Sequence, residues 1–156
     1  MIKKYLIVFL ISMVPLLELR GAIPYAVAFN LPLVPSFIVA ILGNMLPVPF
    51  IFWFARRILE WGSEKKYIGK FFKWCLKKGE KGGKELQKKA GKGLYWALFI
   101  FVGIPLPGTG AWTGTLAASI LDMDFKKSTI AVMGGVILAG LIMAILSVGL
   151  FGGLLR

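Results

Sequence analysis

The stretch PLLELRGAIP, Pro15 to Pro24, sets a carboxylate and a guanidinium inside an otherwise apolar run, and between Tyr5 and Ala55 no other residue is charged. A charge near the bilayer centre costs roughly 2.5–3.5 kcal/mol on insertion scales, so such groups turn towards a protein interior or a water-filled cavity. Two positions apart on a continuous helix, Glu18 and Arg20 would project about 200° from one another. In a turn or extended segment, residues i and i+2 point to the same side. Gly21 loosens the backbone there, and Pro24 removes an N–H and biases Ile23 away from helix. The expectation is a break that presents both charges to one cavity. The competing reading is an internal Glu18–Arg20 salt bridge that only locks the tip.

Charge is segregated along the rest of the chain. Of the nineteen Lys and Arg residues, thirteen lie between Arg56 and Lys92 with only four Glu among them. Long apolar blocks fill the remainder of the 156 residues, 58% of which are hydrophobic. This distribution is that of an integral membrane protein with one basic extramembrane loop. Headgroup attraction and the positive-inside bias account for the +12 net charge without nucleic acid as a partner. The single cysteine, Cys75, excludes an internal disulfide, and the absence of histidine excludes His-based metal sites, bases and proton relays. No cofactor is implied. A signal-peptide reading of the first seventeen residues lacks a small-x-small cleavage site, so the segment is expected to remain in the mature protein.

Segment lengths are informative. Tyr5–Leu17 is about 20 Å long as a helix, short of the ~30 Å hydrocarbon core. Ala22–Val34 is also too short to span. Ser36–Ala55 is long enough, with kinks expected at Pro47 and Pro49. After the loop the order recurs: Leu94–Leu106 and Ala111–Leu121 are short, and Ser128–Leu155 is long. Such a pattern suggests an internal duplication. An offset of 89 lays Glu18–Ala22 on Pro107–Ala111, and an offset of 92 lays Ser36 and Gly43 on Ser128 and Gly135. The organisation expected is repeat one over 5–57, the basic loop over 58–93 and repeat two over 94–155, all in one membrane domain. Each short pair forms either a re-entrant hairpin or one broken spanning helix, and the charge rule tolerates both.

In the loop, Tyr67, Ile68, Phe71, Phe72, Trp74 and Cys75 recur at helical spacing opposite Lys66, Lys70, Lys73 and Lys77. This predicts an amphipathic helix at the headgroup level, its lysines on anionic lipid. The following GEKGGKELQKKAGKG reads as a flexible tether.

The second break, Pro105 to Gly114, carries no charge. It offers backbone amides around Pro107, Gly108 and Gly110, the hydroxyls of Thr109 and Thr113, and the indole N–H of Trp112. A short helix starting near Ala111 would aim its positive N-terminus at an anionic group. The alternative is that these glycines serve packing and Trp112 is an interfacial anchor.

PLLELRGAIP and the later GIPLPGTGAWTG together resemble the small multidrug export protein family, distantly related to the DedA/VTT-domain membrane proteins. The resemblance implies an all-α fold: two re-entrant hairpins and two full transmembrane helices as an inverted repeat, with the amphipathic helix between the halves. It also implies transport of a small molecule or lipid. In that resemblance Glu18 corresponds to the acidic residue of the first hairpin and Pro107-Gly108 to the Pro-Gly of the second. DedA-type proteins usually place an arginine two residues after that Pro-Gly, where this chain has Gly110, and Arg20 is available instead. The expected function is a transporter of the plasma membrane, coupled to a proton or cation through Glu18, with Arg20 holding Glu18 or an anionic substrate group. Gly21, Pro24 and the Pro105–Thr113 residues would line the path. The loop would be cytoplasmic, enzyme activity is not expected, and a homodimer would help enclose a path. The rival is a membrane-organising or partner-binding protein without transport.

Overall fold

The computed structural model describes residues 1–154, with side chains described except at 75, 78–80, 82, 83, 85–87, 89, 90 and 152–154. The regular structure among these residues is helical: α1 (Ile2–Met13), α2 (Glu18–Ala28), α3 (Leu33–Met45), α4 (Pro47–Ser63), α5 (Gly69–Ala90), α6 (Gly93–Gly103), α7 (Ala111–Ile120) and α8 (Phe125–Leu154). Residue 155, the expected end of repeat two, lies outside the described residues.

α1 stops at Val14, whose ψ of 129° is extended, and the chain reverses through left-handed backbone at Leu16 and Glu18. The break therefore lies at Val14–Leu17, ahead of its expected position. Gly21 and Pro24 both sit inside α2. Where lipid surrounds the chain, each unpaired backbone group costs several kcal/mol, so helix continues through Pro24 at the loss of one bond to the Arg20 carbonyl. Tight packing of Leu19, Ala22, Ile23 and Ala26, all at most 1% exposed, supports it.

α1 and α2 lie antiparallel: Lys4 Nζ reaches the Phe29 carbonyl at 3.5 Å, and Gly21 packs on Ile11. α6 and α7 also fold back, Gly114 facing Leu98 and Val102. α3 and α4 follow one another across Leu46, so Leu33–Ser63 forms a 31-residue apolar run with Pro47 at the junction. At 1.5 Å per residue it is about 46 Å long, more than the hydrocarbon core. Phe125–Phe151 is the second apolar run, at 27 residues. Both are long and apolar enough to cross a membrane.

Two helix ends 92 positions apart share their backbone detail. α2 ends with Asn30 left-handed (φ 53°) and Leu31 N–H bonded to the Ala26 carbonyl at 2.9 Å. α7 ends with Asp122 left-handed (φ 56°) and Met123 N–H bonded to the Ala118 carbonyl at 2.9 Å. Each is a Schellman ending, for which Asn and Asp substitute for glycine because they tolerate the left-handed region. Inside the long helices, a Cβ at Gly43 would lie 2.6 Å from the Phe9 carbonyl and one at Gly135 2.8 Å from that of Phe99. These glycines let α3 and α8 approach the α1 and α6 backbones closely. Gly43→Val and Gly135→Val are each expected to destabilise the protein in detergent by roughly 1–3 kcal/mol through overpacking. Gly149→Val, with open space around its Cβ, is the matched control, and an equal effect there would refute the close-approach reading.

The expected tether is helical: α5 runs on to Ala90. Lys, Glu, Gln, Leu and Ala are strong helix formers, and together they offset the ~1 kcal/mol cost of each glycine. Tyr67 and Ile68 precede α5, Phe72 packs on Gly62 of α4, and Phe71 and Trp74 stay exposed on the expected apolar face. The Cys75 side chain, assigned to the same face, is outside the described ones.

Candidate functional site: a clasp between the two breaks

The fold brings the Val14–Leu17 break and the Ile104–Gly110 break together. α7 begins at Ala111, so its first amides lack carbonyl partners within the helix. Glu18 supplies them: Oε2 accepts from Ala111 N–H at 3.2 Å and Oε1 from Trp112 N–H at 3.1 Å. Glu18 is 5% exposed, and the charge of its carboxylate suits the positive helix end. Sequence reasoning anticipated an anion at this N-terminus. The structure puts the chain's own Glu18 there.

Arg20 complements the other polarity. Its Nη1 donates to the Leu106 carbonyl, and its Nη2 to the Ile104 carbonyl at 3.4 Å and to Thr109 Oγ1 at 2.7 Å. The Ile104 and Leu106 carbonyls lie past the end of α6 and accept only one backbone N–H each, from Leu106 at 2.8 Å and Thr109 at 3.2 Å respectively, which leaves each a lone pair for Arg20. The Thr109 hydroxyl lies 2.7 Å from the Ile104 carbonyl and 2.8 Å from that of Leu106, and donates its one proton within this group. A third link comes from Trp112, whose indole N–H reaches the Met13 carbonyl at the end of α1, at 3.1 Å. Glu18, Arg20 and Trp112 thus tie each break to backbone groups of the other.

Among the described residues, Glu18 and Arg20 do not form an ion pair with each other. The internal salt-bridge reading is replaced by two contacts across to the other break. The geometry follows from α2: both residues lie on its first turn, and each points at a different part of the facing loop.

Of the other residues singled out from sequence, Gly110 belongs to the clasp. Its φ of 141° and ψ of −172° fall in a region only glycine populates readily, and its Cα faces the Glu18 carboxylate. Pro107 and Gly108 form an exposed turn closed by Thr109 N–H to the Leu106 carbonyl at 3.2 Å, with Gly108 at φ 83°. The Thr113 hydroxyl approaches the carbonyl of Gly110, just ahead of α7, Gly21 packs against α1, and Pro24 lies in the body of α2.

The carbonyls of Met13, Ile104 and Leu106 were missed, since a backbone carbonyl carries no sequence signal of its own. Asn44 Oδ1 and Thr115 Oγ1 are buried without a hydrogen-bond partner, and the lone Asn in an apolar helix was a visible signal. Two surface cavities, of about 410 and 520 Å³, lie between α4 and α7 and between α6 and α8; neither is lined by Glu18 or Arg20. Beside the first, Arg56 pairs with Glu60 at 3.0 Å and with Asp122 at 2.5 Å, tying α4 to the link between α7 and α8.

Comparison with curated proteins and with solved structures gives no match. A family described as putative small multi-drug export protein matches residues 18–142, a span that opens on Glu18 and takes in the second break, the whole of Leu33–Ser63 and the first half of α8. The chain, a helical membrane protein, belongs to that family.

Proposed function

We propose that this protein is a membrane transporter of DedA-like architecture that moves a small molecule or lipid, with the breaks as its moving parts and Glu18 as the proton- or cation-coupling carboxylate. In this reading α1–α2 and α6–α7 are re-entrant hairpins of an inverted repeat, entering from opposite faces and meeting near the midplane. The recurrence of caps and close-packing glycines at an offset of 92 supports the repeat, and the fold-back of each short pair supports the hairpins. Helices interrupted at membrane depth are a hallmark of alternating-access sites.

The mutual capping of the breaks carries the proposal. Ionised Glu18 holds the α7 amides by charge-assisted bonds, which are roughly twice as strong as neutral ones. Protonation, or exchange of the carboxylate onto a cation, loosens that hold and lets the tips part. Arg20 and Thr109 keep the second loop in shape meanwhile. The family name supports export of small molecules only in general terms. The basic segment 56–93 is assigned to the cytoplasmic side of the plasma membrane, and a homodimer would complete the enclosure of a path.

Flux in proteoliposomes against a panel of lipid phosphates and cationic drugs tests the function. Glu18→Gln is expected to lose proton-coupled flux while keeping the fold, since a neutral amide oxygen still accepts one amide bond. Full coupled flux in that variant would remove Glu18 from the coupling role. Labelling a cysteine at position 2, in a Cys75→Ser background, tests the hairpins, which require an external N-terminus. The non-transporting reading is favoured by one observation: the clasp satisfies its charged groups internally. It predicts no flux for any substrate from a protein whose stability nevertheless depends on Glu18.

A further inference from the structure

The groove between α6 and α8 is distinct from the clasp and from the basic face of α5. The two helices run parallel here, Tyr95 lying by Lys127, Phe99 by Gly134 and Gly103 by Leu138. Both therefore begin at the same end of the groove, and Lys92 and Lys127 stand at its mouth. The walls below are apolar, formed by Trp96, Phe99 and Ile130, with Gly134 as the floor. The groove has a volume of about 520 Å³. A Cβ at Gly134 would lie 3.0 Å from the Phe99 ring, so the missing side chain keeps the floor low.

The geometry points to a bound anionic phospholipid: its phosphate between Lys92 and Lys127, one acyl chain along Trp96, Phe99 and Ile130 down to Gly134. Three observations fix the occupant. α8 is one of the two helices able to cross the membrane, so the medium facing its open groove is lipid. The Lys127 ammonium sits 5.8 Å from the Tyr95 ring, which holds it at the mouth. Among the described residues neither Lys92 nor Lys127 has a carboxylate partner. The acidic group close by, Asp124, accepts the Lys127 backbone N–H at 2.9 Å as a helix cap. With Lys126 adjacent, the mouth keeps a positive excess. A zwitterionic headgroup would bring its own cation against that excess, whereas an anionic one matches it. The stretch from Lys127 to Gly134 is about 10 Å along the helix, enough for the upper part of an acyl chain.

Native mass spectrometry of the full chain in detergent, titrated with phosphatidylglycerol or phosphatidylcholine of identical acyl chains, tests the site. Retention of phosphatidylglycerol is expected to exceed that of phosphatidylcholine roughly tenfold, as two lysines near a phosphate allow. The preference should fall to near parity in Lys92→Gln/Lys127→Gln and persist in Lys70→Gln/Lys73→Gln on α5. Gly134→Leu should weaken retention of both lipids by filling the floor. Equal binding of the two lipids to the wild type would overturn the proposal. So would a preference that survives in the groove variant and vanishes in the α5 variant, or protection of Trp96 by a second copy of the chain. All four lysines are exposed, so these variants report on binding rather than on folding.

Discussion

A Glu18→Arg/Arg20→Glu double variant is expected to fare worse than either single truncation to alanine, in both thermal stability in detergent and flux. If the two residues simply paired with each other, exchanging them would restore the interaction. Their partners are instead backbone groups of fixed polarity. Glu18 accepts from the Ala111 and Trp112 amides at the positive end of α7, and Arg20 donates to the Ile104 and Leu106 carbonyls. After exchange a guanidinium faces amide donors and a carboxylate faces carbonyl acceptors. Hydrogen bonds to charged groups contribute about 1.5–3 kcal/mol each, and the exchange loses them on both sides of the clasp while turning attraction into repulsion. A marginal membrane protein cannot absorb a loss of several kcal/mol on this scale. Recovery of stability by the double variant would show that the clasp depends on charge pairing alone.

Gly110→Ala is expected to open the same clasp without touching a charge. Two effects add. Backbone in this glycine-only region costs an alanine roughly 1–3 kcal/mol, and the new Cβ collides with the Glu18 carboxylate. Relief requires Glu18 to withdraw from the α7 amides, so the second cost is the loss of those bonds. Gly108→Ala separates the two terms. Gly108 is also left-handed, at φ 83°, but its Cβ would meet nothing within 4 Å. That variant should lose only about 1–2 kcal/mol and keep its flux. Equal losses for the two, by thermal unfolding with a flux assay alongside, would show that the turn and not the contact with Glu18 matters at Gly110.

Much of the fold was legible because lipid constrains a chain so strictly. Unbroken apolar length announces α3–α4 and α8, and prolines and glycines announce that the shorter pieces are interrupted. Around the first interruption that logic misplaced the break. Gly21 and Pro24 have the chemistry of helix breakers, yet the chain turns earlier, at left-handed Leu16 and Glu18. Neither residue type favours that conformation, so tertiary packing imposes it. The segment from Gly79 shows the reverse case. Its glycines and charges read as a tether, and the helix formers between them carried the helix through to Ala90.

Taken alone, the sequence determined that this is a helical membrane protein, that two polar interruptions divide its short helices, and that Glu18 and Arg20 are the charges to be accounted for in the apolar stretch between Tyr5 and Ala55. Each of those follows from residue type and the energetic penalty of lipid. Only the tertiary structure decided what Glu18 and Arg20 hold. Glu18 meets amides 93 and 94 positions away and Arg20 meets carbonyls 84 and 86 away. Every residue but proline carries an N–H and every residue a carbonyl, so a side chain that pairs with backbone leaves no complementary residue in the sequence to find.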